Sequence, residues 1–465
     1  MKTKIMTLAV ILSSWITTNL TACTAFYNDN PAPENLAEYT VIYFVSNGSG
    51  EDHDFDDQIA DVQPLLAGNN SVRFYCFNKY GRASEEFSGR YGDPGMALEF
   101  ELTPNTNLDS LRYTSVVGDS TLVLWEPAVL SGVLDRVVEN APAKQYVLVI
   151  EAHGLGFAPD LDYPKDGPLW NTWKPREWKS SPQASLSKPK MKGVLRDNYN
   201  GGADMNMYDL SKAISTSKLG HLPLLMFNVC MMGDLESVTE IKDQVDYLIA
   251  SPFEVSESPA PVTELVRALQ EKNGLETQVE QMFRQMRPGW IREYKEEGNG
   301  WTANMALYNL SQLDLVIDQM KRLGNRLCEI YPKQKEAIDS AADKVYKYKD
   351  TEPHFDSQDY ARLLAEATGD SELKDIYAKI VAAYKKVILL ETQYVENYPT
   401  LPSFSLGFSL FDKDYFFNAP TRGEWNYADC YEICTFHKLT NWGRWLRMNE
   451  KTPTDNPCGE VDKNL

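Results

Sequence analysis

Short runs of β-branched and aromatic residues punctuate the first half of the chain: Tyr39 to Val45, Ser71 to Phe77, Gln145 to Glu151 and Leu222 to Asn228, with Asp246 to Ala250 close behind. Between them, Asp56 to Leu66, Pro127 to Glu139, Tyr208 to Ile214 and Leu235 to Val245 carry apolar residues at helical spacing. Strands alternating with helices predict a parallel sheet covered on both faces, and in such sheets sites form beyond the carboxyl ends of the strands. Past Pro261 the period turns helical over 262–286, 311–331, 334–348, 357–366 and 371–395; Ser403 to Phe411 reads as a strand and Tyr427 to Met448 as a helix. The segment Gly156 to Met207 has no period and holds the basic stretch KPREWKSSPQASLSKPKMKGVLRD. A loop this long inside a compact domain is ordinarily functional or mobile, and its plainer reading is an exposed insertion.

The first residues, MKTKIMTLAVILSSWITTNLTAC, place Lys2 and Lys4 before an apolar run too short and too early for a stable membrane span. They read as an export signal, and Leu20-Thr21-Ala22-Cys23 resembles a bacterial lipobox, which makes Cys23 the lipidated first residue of the mature chain. The expected organisation is a lipoprotein-type signal over 1–22, a polar tether over 23–36, an α/β domain over 37–260, a mainly helical region with one short strand over 261–450, and a loose tail over 451–465. The expected location is the bacterial outer membrane or cell surface, through the anchor at Cys23.

The formal charge of −20 repels phosphate backbones, so nucleic acid is not an expected partner. Of the 7 cysteines, setting Cys23 and Cys230 aside leaves an odd number, which cannot form a complete disulfide framework; the core must hold the fold. Cys430, Cys434 and His437 have a spacing that one helical face can present to a metal, but without a second ligand pair a packed helix explains them better.

Two strands end in residues that can do chemistry. YVLVIEAHG ends in His153-Gly154, and LLMFNVC ends in Cys230. If these strands are neighbours, imidazole and thiol emerge side by side at one sheet edge, about 5 Å apart at the backbone. Singly, a cysteine at a strand end or one histidine is ordinarily part of a core; the pair at equivalent strand ends is not expected of two core residues. A catalytic thiol needs an imidazole or a helix N-terminus to favour thiolate, and the helical stripe Leu235, Val238, Ile241 and Val245 follows directly. Backbone N–H groups of Gly154 and Cys230 then suit an oxyanion, where one donor is worth about 3 kcal/mol.

The order strand, helix, strand, helix, strand-His-Gly, long loop, strand-x-Cys resembles the caspase-like clan of cysteine peptidases. YVLVIEAHGLGF, DMNMYDLSKAI, FNVCMMGDLESV and VDYLIASPFEVSESPAP are similar to the corresponding stretches of the clostripain family, peptidase family C11. ALYNLSQLDLVIDQM, FDSQDYARLLAEA, SFSLGFSLFDKDYF and TNWGRWL carry the likeness over residues 38 to 448. The resemblance implies an α/β, caspase-like parallel-sheet sandwich with a mainly helical C-terminal extension, and a cysteine endopeptidase acting on proteins or peptides through nucleophile Cys230 and base His153.

Members of that family that cut after Arg or Lys carry an aspartate two residues before the cysteine; this chain has Asn228 there. An amide cannot neutralise a desolvated guanidinium, so the resemblance does not carry the P1 preference over, although Glu254, Glu257 or the acidic run EDHDFDD at residues 51 to 57 are candidates to compensate. The family also contains calcium-dependent members. EDHDFDD has oxygens for calcium but lacks the glycine and ligand spacing of an EF-hand, and no cofactor is firmly implied. A surface lipoprotein that keeps the peptidase scaffold to bind peptide or glycan is the alternative, raised by Asn228 and by 10 tryptophans and 25 tyrosines that suit either stacking or a core.

Overall fold

The structure is a computed structural model that describes residues 36–447, except 47–51, 81–89, 120, 155, 160–190, 193, 198–202, 254, 256–260, 272, 286–304, 349–353, 393–405 and 410–433. In chain order its principal elements begin with β1 (Ala37–Ser46), α1 (Asp52–Val62), β2 (Val72–Lys79), β3 (Ala97–Leu102), β4 (Val116–Gly118), α2 (Pro127–Asn140), β5 (Ala143–Ala152), α3 (Met207–Thr216), β6 (Leu222–Asn228), α4 (Leu235–Ile241), β7 (Val245–Ala250) and α5 (Val262–Leu269). They continue with β8 (Ala306–Asn309), α6 (Asp314–Lys344), β9 (His354–Asp356), α7 (Ser357–Thr368), α8 (Ser371–Val387), β10 (Ile388–Glu391), β11 (Gly407–Ser409), α9 (Thr435–Thr440) and α10 (Trp442–Arg447).

One 9-stranded sheet, in the order β10-β8-β7-β6-β5-β1-β2-β3-β4, forms the centre. Its middle five strands, β7-β6-β5-β1-β2, are mutually parallel, as the alternation of strands and helices predicts. Ile42, Phe44, Leu148, Ile150, Leu225 and Phe227 face α2, α3, α4 and the C-terminal helices. Val41, Tyr43, Val147, Val149, Leu224 and Met226 face α1 and α5. The three-layer α/β/α sandwich follows from strands that are apolar on both sides: neither face can be left to water.

The antiparallel flanks lie outside the sequence reading. In β3 the run ALEFEL alternates, but its carboxylates obscure a buried strand. Glu99 is taken up by a bidentate pair with Arg136 at 2.7 Å and 2.7 Å, and Glu101 by Arg73 at 2.7 Å and 2.7 Å, partners no local pattern reveals. At the other edge the expected helix over 371–395 stops at Val387, and Ile388–Glu391 instead pairs antiparallel with β8. The sheet edge overrides a helical periodicity there.

Several boundaries move for physical reasons. α1 begins at Asp52, four residues before the expected start at Asp56. α4 ends at Ile241, since Val245 already opens β7. The expected break between 331 and 334 is a kink within α6, with Pro332 inside the helix and Gln334 at φ −127°. The expected helix over 427–448 is, within the described residues, two short helices divided by Asn441 in the left-handed region at φ 60°.

Candidate active site

β5 and β6 are adjacent and parallel, and their ladder closes with Asn228 opposite Glu151. His153 and Cys230 each lie two residues beyond that same rung. Parallel strands stand about 4.8 Å apart and side chains alternate, so Glu151 and Asn228 share one face of the sheet, directly before the histidine and the cysteine. Cys230 and His153 are both half-buried, and Gly154 is buried.

The turn after Cys230 is held from several sides. Met231 adopts φ 61°, a left-handed conformation that costs a branched or bulky residue about 1 kcal/mol or more. The Met231 N–H donates to the Phe253 carbonyl at 2.8 Å and the Gly233 N–H to the Ser251 carbonyl at 2.8 Å, which tie the turn to the end of β7. Gly407, at the start of β11, donates its N–H to the Gly233 carbonyl at 2.8 Å from the other side. A Cβ at Gly233 would lie 2.7 Å from the Pro252 nitrogen and 2.8 Å from the Ser251 carbonyl carbon, so only glycine fits without a backbone shift. Phe253 in turn stacks edge-on against Tyr348, with ring centroids 4.6 Å apart, and the Tyr348 hydroxyl donates to Asp356 at 2.5 Å. The C-terminal region thus braces the turn that carries the thiol.

The Val255 N–H donates to the Cys230 sulfur at 3.3 Å, and the thiol in turn reaches the Val255 carbonyl at 3.6 Å. The amide hydrogen aimed at sulfur favours the thiolate, and the bond to the carbonyl favours the protonated thiol. Sequence reading had no access to this contact, because it depends on where the loop after β7 passes. Asp234, which with Glu236 sits near the start of the predicted helix where the dipole prefers an acid, does more than the sequence suggests. Its Oδ1 accepts the Ser237 N–H at 2.8 Å as the N-cap of α4, and its Oδ2 accepts the Phe157 N–H at 3.2 Å from the segment after His153. The cap is legible as Asp before an apolar stripe; the second bond is not. Burial and, after it, the neighbouring Glu236 push the Asp234 carboxyl well above its ordinary value.

Asn228 is buried beside Glu151, whose Oε2 accepts the Tyr43 hydroxyl at 2.9 Å, so a carboxylate does stand next to the amide, though it is not one singled out from sequence. Glu254, Glu257 and Cys23 lie outside the described residues. Within EDHDFDD, Asp56 is buried and accepts the Tyr80 hydroxyl at 2.7 Å and the N–H groups of Arg90 at 2.5 Å and Tyr91 at 3.3 Å, while Asp57 is exposed. Asp56 therefore anchors the chain around residue 90, and among the described residues no group of three or more His, Cys, Asp or Glu is placed to hold a metal ion. Cys430 falls outside the described residues; Cys434 is a buried free thiol at the cap of α9, and Nδ1 of His437 accepts the Gly443 N–H at 3.0 Å. Cys328 is disulfide-bonded, while Cys76 is a second buried free thiol.

The family model of the clostripain family, peptidase C11, matches residues 178–447, a span that holds Asn228 and Cys230 and begins after His153. No curated protein matches the chain. Among solved structures, a secreted C11 cysteine protease from Bacteroides thetaiotaomicron in complex with an irreversible peptide inhibitor aligns with TM-score 0.56 and 15% identity over 87% of this chain and 99% of that one. An inactive zymogen C11 protease from Parabacteroides distasonis aligns with TM-score 0.56 and 16% identity over 88% and 99%. The secreted Bacteroides thetaiotaomicron C11 protease called iotapain gives TM-score 0.56 and 17% identity over 88% and 100%. At these identities the likeness establishes the fold.

Proposed function

The chain belongs to the clostripain family of cysteine peptidases, and from that premise we propose that it is an exported endopeptidase working through a Cys230/His153 dyad. The observation that carries this reading is the rung Asn228–Glu151, beyond which the two side chains leave the sheet in step. His153 takes the thiol proton as the sulfur attacks the scissile carbonyl carbon, and the N–H groups of Gly154 and Cys230 receive the developing oxyanion. Collapse of the tetrahedral adduct breaks the C–N bond, His153 protonates the departing amine, and a thioester forms on Cys230. Water, deprotonated by His153, then attacks the thioester and releases the carboxylate product and the thiol. The Val255 N–H on the sulfur supports the first step by favouring thiolate.

Substrates are proteins or peptides, and a fold neighbour that holds an irreversible peptide inhibitor is in keeping with that. Asn228, two residues before the nucleophile and on the same face, borders the P1 side chain. Its neutral amide disfavours a P1 arginine relative to an aspartate there. Export and lipidation at Cys23 rest on the Leu-Thr-Ala-Cys stretch.

Peptide-library cleavage by the full-length chain and by Cys230→Ala tests the dyad. Removal of the nucleophile is expected to lower turnover by about 10⁴-fold or more. An unchanged rate overturns the assignment, and a wild-type chain that alkylates at Cys230 yet cleaves no peptide turns the reading to a binding scaffold.

A further inference from the structure

The dyad is bounded on its near side by a rung of the sheet, and on its far side by a contact that sequence does not suggest. Phe157 lies four residues beyond His153, and Asp234 lies four beyond Cys230. Between these equivalent positions the Phe157 N–H meets Asp234 Oδ2 at 3.2 Å. The segments that carry His153 and Cys230 are thereby joined on both sides of those residues: by the Asn228–Glu151 rung before them and by the Asp234–Phe157 bond beyond them.

We propose that Asp234 is a positioning residue for the peptidase reaction, whose carboxyl group clamps the histidine-bearing segment to the cysteine-bearing turn and so sets the distance between imidazole and thiol. The proposal rests on the dyad reading given above. Capping of α4 alone does not account for the residue. A helix cap needs one acceptor oxygen, which a serine supplies as well, and Oδ1 fills that role with the Ser237 N–H at 2.8 Å. The second oxygen reaches out of the helix to the Phe157 amide. Asp234 is 1% exposed, so water does not replace a bond that is lost. Both anchors are themselves held: the Phe157 ring is packed in the core, and the Asp234 backbone pairs with Gly407 of β11. A clamp between two fixed points transmits position, and misplacement of a catalytic group by about 1 Å costs about 10²-fold in rate.

Asp234→Ser keeps an oxygen for the cap and deletes the one that reaches Phe157; Asp234→Asn keeps the shape and presents an amide donor to the Phe157 N–H. In the full-length chain both are expected to lower kcat about 10- to 100-fold with KM changed less than about twofold. Two readouts do not depend on turnover. Hydrogen exchange at the Phe157 amide is expected to accelerate while the Ser237 amide stays protected. The pH at which iodoacetamide labels Cys230 at half its maximal rate is expected to rise toward that of a free thiol, about 8.5, as the imidazole is no longer held beside it. Asp234→Asn decides the matter if Asp234→Ser does not fold. The clamp is overturned if the Phe157 amide exchanges as in wild type, or if it exchanges faster with kcat and the labelling profile unchanged. Absence of peptidase activity in wild type strikes the dyad reading instead, and leaves the exchange and labelling measurements to judge the clamp.

Discussion

At the scale of single residues, the decisive feature is which side chains share the face carrying Cys230. Asn228 stands beside the Glu151 carboxylate, so Asn228→Asp brings two carboxylates to neighbouring strands of a parallel ladder. Like charges this close push one carboxyl pKa up, so the variant is expected to gain cleavage after Arg or Lys chiefly as pH rises, measured as kcat/KM on matched P1 substrates. An unchanged P1 spectrum at every pH would remove Asn228 from the substrate site. Asp234 carries a second pH signature. Burial and then Glu236 raise its carboxyl well above the ordinary value, so the folded chain holds a proton that the unfolded chain releases. The folded state binds more protons there, and this group's contribution to stability is present below the ordinary carboxylate range and lost as pH rises through the raised value. Relative to wild type, Asp234→Asn is therefore expected to gain stability between about pH 5 and about pH 8, read by urea unfolding at the two pH values.

Among the elements, the turn Cys230 to Asp234 is tied from several sides. Its backbone bonds reach Phe253, Ser251 and Gly407, and the approach of Pro252 leaves no space for a Cβ at Gly233. Gly233→Ala is expected to cost about 2 kcal/mol or more in urea unfolding, since the atoms that must give way are backbone. A near-neutral result would mean the turn is softer than its contacts imply. The motifs FDSQDYARLLAEA and SFSLGFSLF, which resemble family stretches far from His153 and Cys230 in sequence, acquire a physical role here. Asp356 caps α7 by accepting the Asp359 N–H at 2.7 Å and also receives the Tyr348 hydroxyl that backs Phe253, while Gly407 bonds the turn itself.

For the molecule between residues 37 and 447, one apolar cluster joins the α2–α4 face of the sheet to Tyr348, Leu364, Phe408 and Trp442 of the C-terminal region, and strands β8 and β10 extend the same sheet. The opposite face has its own cluster around Val41, Phe74 and Ile249. Cys76 is buried in the second cluster and Cys434 in the first, and burial pushes both thiols well above the ordinary cysteine range. If the two layers unfold together, both thiols are expected to become alkylated with the same denaturant midpoint, coincident with the loss of tryptophan fluorescence. Separate midpoints would divide the region into independently stable parts.

What the sequence determined by itself is the parallel centre of the sheet and the two strand ends. Strands buried on both faces must be apolar throughout, and that pattern is local, so Tyr39 to Val45, Gln145 to Glu151 and Leu222 to Asn228 announce themselves. His153-Gly154 and Cys230 were legible for the same reason, as polar chemistry placed at the points where such runs stop. Only the tertiary structure decided the rest. It put β5 beside β6 in a register that brings Glu151 opposite Asn228, and it paired β3 and β10 through distant arginines and a sheet edge. It also turned Asp234 toward Phe157 and Val255 toward the sulfur. These are contacts between segments far apart in the chain, and their partners satisfy each other's charge or hydrogen bonds only after folding, so no local period encodes them.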